Sequence, residues 1–178
     1  MRRMGRIGKR FITSVKIVNG PHTRAIVQRP PDIDRPGTEY RYPALTCRVE
    51  RDSLLRSGHV VQLPSGDYYL VADHSKTIDA HTHHLFRCDR QVVWSRATTI
   101  DDPLTGLPRS DERTVLADDL WVMWERVRRE FADLNPRIEQ ETHLLATGAD
   151  VQLGDLINDM RVKRVNTALG VKILELEA

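Results

Sequence analysis

The chain has 178 residues, with 27 Lys and Arg against 25 Asp and Glu, 40% hydrophobic residues, 6% aromatic ones and a formal net charge of +2. This length fits one domain, or a domain with an arm, and falls short of the roughly 200–250 residues of a complete (β/α)₈ barrel. The apolar share suffices for a core, which excludes wholesale disorder, and the near-neutral charge argues against a protein that coats nucleic acid.

The charge is unevenly placed. Arg2, Arg3, Arg6, Lys9 and Arg10 give residues 1–10 a charge of +5, leaving −3 for the remainder. This basic arm is too short and glycine-broken to form a stable helix. It reads either as a solubilising tail or as a docking element for nucleic acid or the acids of another subunit. No apolar run of signal-peptide type follows it, and no stretch approaches the ~18 apolar residues of a membrane span. The expectation is a chain soluble and intracellular at synthesis, with no membrane partner.

From Phe11 to Ala97 short β-rich runs alternate with turn residues. Phe11–Val18 places Phe11, Thr13, Val15 and Ile17 on one face and stops at Asn19-Gly20-Pro21. Arg24–Gln28 is a second short strand, and the segment Arg29–Gly37, with three prolines, is a long loop. Leu45–Glu50 alternates, with Leu45, Cys47 and Val49 inward. Ser57–Asp73 carries two β-prone runs around Pro64-Ser65-Gly66-Asp67, a hairpin signature. Leu85–Arg90 and Val92–Ala97 follow as another strand pair or one bent strand.

The period then changes. After a loop over Thr98–Arg109, Ser110 is placed to cap a helix, with Asp111 and Glu112 in its first turn. Leu116, Leu120, Met123, Trp124, Val127, Phe131 and Leu134 recur at helical spacing, and Asn135-Pro136 is a stop. The spacing predicts one amphipathic helix at about 110–135. Trp121 lies off its main apolar stripe, which gives the helix a second contact face; Trp121 and Trp124 are candidate subunit-interface anchors. Ile138–Leu145 fits a helical turn or a strand. Val151–Ile157, Met160–Val165 and Gly170–Glu177 return to β character. The expected fold is mainly β: a small β-barrel or sandwich with one long inserted amphipathic α-helix, forming a single β-rich domain over 11–178 behind the arm. Gly-Asp-x-(Ile/Tyr) occurs at both 66 and 154, the one hint of repetition.

Among motifs that carry chemistry, Ile78-Asp79-Ala80-His81-Thr82-His83-His84 resembles the first metal-binding signature of the amidohydrolases. On a strand His81 and His83 would point the same way and could share a metal. That family needs a (β/α)₈ barrel, which the length forbids, and further ligands, whereas only His143 follows His84. A metallo-β-lactamase pattern lacks its Asp between His83 and His84. The cluster therefore reads as a polar loop at a hairpin tip. No nucleophile elbow or phosphate-binding loop is present. Asp118-Asp119 reads as a solvated turn. Cys47 and Cys88 have no zinc spacing and read as two buried thiols, although a disulfide between them stays open. No cofactor is expected.

At Ser57–Val71 the string Ser-Gly-His-Val-Val-Gln-Leu-Pro-Ser-Gly-Asp-Tyr-Tyr-Leu-Val is similar to the Gly-Asp-hydrophobic … Asp-Gly-x-x-Tyr-x-Val hairpin of tailed-phage neck proteins, the head-closure (stopper) and head–tail joining proteins. His59 stands where that pattern has Asp, and Gly66-Asp67 reverses its order. The likeness, with Phe86–Arg96 similar in character, covers some two fifths of the chain. It implies a non-enzymatic virion protein forming a ring between portal or adaptor and tail, around packaged DNA. Arg29–Tyr42 and Ala72–His84 would then be candidate inter-subunit clamps or DNA-facing loops. A tail terminator or adaptor, a nucleic-acid-binding β-barrel, and a metal-dependent hydrolase using His81, His83 and His84 are the alternatives.

Overall fold

The computed structural model describes residues 12–29, 44–101, 108–131 and 138–177. It divides into two compact units, residues 1–89 with 168–171, and residues 90–167 with 172–178.

The first unit is a closed barrel of β1 (Ile12–Ile17), β2 (His22–Gln28), β3 (Leu45–Glu50), β4 (Val60–Gln62), β5 (Tyr68–Lys76) and β6 (Ala80–Arg87), in the order β1-β2-β3-β6-β5-β4. Alternation selects its interior, since successive residues of a strand face opposite sides. Val15 and Ile17, Cys47 and Val49, Val61, Tyr69 and Val71, and Leu85 all pack into one core. The predicted inward sets of the first and third strands and the hairpin at Pro64–Asp67 are found where expected. Phe11 and residues 30–43, including most of the proline-rich loop, lie outside the described residues.

The second unit is a closed barrel of β7 (Arg90–Asp101), β8 (Pro108–Phe131), β9 (Ile138–Thr147), β10 (Leu156–Ile157), β11 (Met160–Ala168) and β12 (Val171–Glu177). Its core contains Val92, Val122, Trp124, Leu145, Ile157, Val162 and Leu174. The strand order β7-β8-β9-β12-β11-β10 is that of the first barrel shifted by six strands.

The likeness extends to backbone detail. Before β4, the Gly58 N–H donates to the Val71 carbonyl (2.8 Å) and the Val71 N–H to that of His59 (2.9 Å). Before β10, the Gly154 N–H donates to the Val162 carbonyl (2.9 Å) and the Val162 N–H to that of Asp155 (2.8 Å). Both glycines are left-handed, at φ 86° and 88°, a conformation that L side chains rarely adopt. The repeat therefore pairs Gly58-His59 with Gly154-Asp155, not the two Gly-Asp dipeptides that the sequence shows.

The inserted helix is absent. Among the described residues there is no helix, and the stretch expected to form one is the 24-residue strand β8, with Ser110 inside it. Within the barrel Leu120, Val122 and Trp124 alternate inward as a stave should. Outside it, β8 continues in two-stranded ribbons, paired with β7 at one end and with β9 at the other, and a ribbon, unlike a barrel stave, is not bound to keep one face apolar. Val115 and Leu116, at the bulge where β8 passes from barrel to ribbon, are 58% and 42% exposed. Once strict alternation is relaxed in this way, apolar residues fall at helix-like intervals by composition alone. Ile138–Thr147 resolves as a strand, and Cys47 and Cys88 are free and buried.

Leu169 and Gly170 form the two-residue turn between β11 and β12, both left-handed at φ 51° and 73°. A type I′ turn requires this, and leucine tolerates it poorly. Leu169 is half exposed. Leu169→Asn is expected to stabilise the protein by about 0.5–1 kcal/mol in denaturant titrations.

Candidate functional site

Three groups of polar side chains stand out, one in the first unit and two in the second.

The first is the β5–β6 pair. His81 and His83 occupy strand β6 instead of the expected loop, with Thr77–Asp79 as the hairpin tip. The in-register neighbours of His83 are Asp73 on β5 and Cys47 on β3. Because it shares a face with Leu85, it points into the barrel and is 2% exposed. Neither ring nitrogen has a hydrogen-bond partner; the nearest carboxylate oxygen, on Asp73, is 3.8 Å from Nδ1. Burial lowers the pKa of His83, with His81 and Lys76 acting the same way and the Asp73 charge and the Ala72 backbone against them. On the opposite face, the rings of His84 and His74 lie 4.1 Å apart. Burial also lowers the pKa of His84, assisted by His74.

This arrangement bears on two chemistries. Among the described residues no three His, Cys, Asp or Glu side chains converge to hold a metal ion. His81 and His83 do share a face, but their ring centroids are 6.3 Å apart and edge-on. Cys47 and His83 face each other across the ladder as a thiol–imidazole pair would. Yet burial pushes the Cys47 thiol up to about 12 and disfavours the imidazolium, so both partners are held neutral, the reverse of an activated pair.

The second group surrounds Asp155, 2% exposed in the second barrel. Its carboxylate accepts hydrogen bonds from Arg96 Nε (2.7 Å) and Nη2 (2.9 Å), Trp94 Nε1 (2.9 Å) and the Gln152 N–H (2.8 Å). Burial alone would raise its pKa, but these donors prevail and hold the carboxyl below the ordinary carboxylate range. An acid kept ionised with its acceptor sites filled is a clamp.

The clamp's location gives it meaning. The β7–β10 ladder ends at Ser95, while β7 continues to Asp101 against Pro108–Thr114. Arg96 thus sits where a two-stranded ribbon leaves the barrel. Arg113 on this ribbon also pairs with Asp159 (2.6 Å), an exposed contact.

The third group is the counterpart at the other end of β8. The β9–β12 ladder ends at His143, while Arg126–Phe131 and Ile138–His143 continue as a second ribbon. At its base Trp124 Nε1 donates to His143 Nδ1 (3.3 Å), and the Arg90 guanidinium lies 4.6 Å from the Trp124 ring centroid. Trp124 therefore anchors its own barrel, while Trp121 is half-buried on the same strand, opposite Gln91. Arg2, Arg3, Arg6, Lys9 and Arg10 lie outside the described residues.

The chain matches no protein-family model, no curated protein and no solved structure.

Sequence reasoning missed Asp155 and both ribbons. The available signal for the former was the Gly154-Asp155 step ahead of an apolar pair, resembling Gly58-His59 ahead of Val60-Val61.

Asp155→Ala is expected to lower the stability of the second unit by about 2–3 kcal/mol, since it strands Arg96 and the Trp94 N–H. Trp94, Trp121 and Trp124 are the chain's only tryptophans, so their fluorescence reads that unit selectively. The depressed pKa also fixes a sign. The carboxylate's contribution is present above the unfolded value of about 3.9 and is lost as pH falls further, through the folded value. In Asp155→Asn, tryptophan-detected stability should decline less steeply with acid below about pH 4 than in the parent.

Proposed function

We propose that the chain is a structural assembly subunit: a ring-forming component of a tailed-phage head-to-tail connector, positioned between portal or adaptor and tail around packaged DNA. The observation that carries this reading is the pair of ribbons made by β8. A two-stranded ribbon has little stability of its own in water, and its outer edges present unpaired backbone donors and acceptors. Such elements make sense when another chain covers them, by adding strands to their edges or by packing on their faces. The exposed Val115 and Leu116 would supply apolar contact at the β8 bulge beside the first ribbon. The likeness of the Ser57–Val71 hairpin to neck proteins supports a phage neck as the kind of assembly.

In such a ring each subunit contributes a closed, edge-free barrel as a rigid body and ribbons as connectors. The charge split fits this arrangement: the +5 of residues 1–10 would meet acids on a neighbour and the −3 body would face DNA without gripping it. Ala72–His84, expected as a loop, is a paired hairpin and would act as a stiff projection.

Mass photometry of the full chain, alone and with portal or tail proteins, is expected to show closed oligomers. Replacing residues 98–112 by Asn-Gly should leave the tryptophan-detected unfolding transition in place and reduce the assemblies to monomer. A full-length chain that stays monomeric under all these conditions would overturn the proposal.

A further inference from the structure

Four of the chain's seven histidines lie between positions 74 and 84, all on the β5–β6 hairpin. We propose that this hairpin is an acid-responsive latch, closed while its imidazoles are neutral and opened at its tip when they take up protons. This inference is independent of the connector reading.

The inner face supplies the first half of the device. His83 is enclosed and neither ring nitrogen has a formed hydrogen bond, so a proton there places a charge in a site where only the Asp73 carboxylate and the Ala72 backbone favour it. The groups that face it are Asp73 and Lys76 on β5, His81 on its own strand and Cys47 on β3. Of these only Asp73 can answer the charge, and at 3.8 Å it must move to do so. Asp73 stands where the β5–β6 register shifts, between Asp73 and Ser75. That irregularity gives β5 a natural pivot.

The outer face supplies the second half. His84 and His74 face each other across the strands at 4.1 Å, and Arg48 on β3 holds the adjacent position on that face, opposite Thr82. The Nδ1 atom of His84 is buried without a partner. Protonated rings at this separation repel. Acid therefore draws Asp73 toward His83 on one face and drives His74 from His84 on the other. Both displacements twist β5 against β6 beyond the bulge.

The direction in pH follows from burial. Because the folded barrel favours neutral His83 and His84, their contribution to closure is fully present above the unfolded value of about 6.5. It is lost as pH falls through the lowered folded values.

The test is amide hydrogen exchange by NMR on the full chain between about pH 7 and pH 5, corrected for the intrinsic pH dependence of exchange. The expected result is a loss of protection of about tenfold at the amides of Ala72–His84, with Val15 and Ala25 in the β1–β2 ladder unchanged. In the double variant His83→Leu/His84→Phe this loss should vanish, leucine suiting the interior beside Leu85. His74→Ala, at an exposed position, removes only the repelling partner; it should reduce the loss and serves if the double variant does not fold. Unchanged protection in the parent chain, or an equal loss in a folded variant, would overturn the latch. So would an imidazole titration placing His83 at or above its ordinary pKa.

Discussion

The second barrel depends on one strand serving two neighbours in succession. From Pro108 to Val122 β8 pairs with β7, and from Met123 to Phe131 it pairs with β9. Strands of small barrels usually need five or six residues; β8 has 24. At about 3.3 Å per residue the surplus cannot be contained in the barrel wall and must leave it at both ends, each time with a partner strand. Each exit is fixed by a tryptophan and an arginine: Trp94 and Arg96 on Asp155 at one, Trp124 beneath Arg90 and bonded to His143 at the other. A ribbon projecting from a packed core transmits load only if its base is rigid, and these clusters provide that rigidity.

The repeated topology explains why Asp155 is where it is. In both units the residue after the left-handed glycine bonds back to the backbone three residues earlier. His59 Nδ1 accepts from the Arg56 N–H at 3.3 Å, and Asp155 Oδ2 accepts from the Gln152 N–H at 2.8 Å. An imidazole nitrogen accepts once, whereas a carboxylate has acceptor sites left over for Arg96 and Trp94. In the first unit β1 and β2 are joined by a tight turn at Asn19-Gly20, with no ribbon to brace. In the equivalent place of the second unit β7 and β8 run on past the barrel. Aspartate stands at the position that must hold an extended element.

These differences also mark what could be read from sequence. The first barrel was legible at β1, β3 and the β4–β5 hairpin because one buried face imposes alternation and Pro64–Asp67 punctuates it. Its closure by β1 and β4 was not, since those ladders join residues some 45 positions apart and leave no local trace. β8 was misread because helical periodicity presumes a single buried stripe, and a strand that runs on from a barrel into two-stranded ribbons need not keep one face apolar along its length. The histidine cluster was recognised as a cluster but placed on a loop. Polar residues in series look like solvent-facing sequence, and nothing local indicates that His83 shares its inward face with Leu85. Asp155 escaped for a related reason: its meaning lies in Arg96 and Trp94, about 60 residues earlier.

The two barrels solve the burial of an ionisable side chain in opposite ways. His83 is kept neutral because burial outweighs what Asp73 and the Ala72 backbone offer its charged form, and Asp155 is kept charged by donors enough to replace water. Both choices favour the folded state at neutral pH and both weaken it in acid, but in separate ranges: below about 6.5 for the imidazoles and below about 3.9 for the carboxylate. Moderate acid therefore acts on the β5–β6 hairpin while the ribbon base at Arg96 stays locked. Under the proposed connector role, this separation would let one element respond to its surroundings without releasing the subunits from one another.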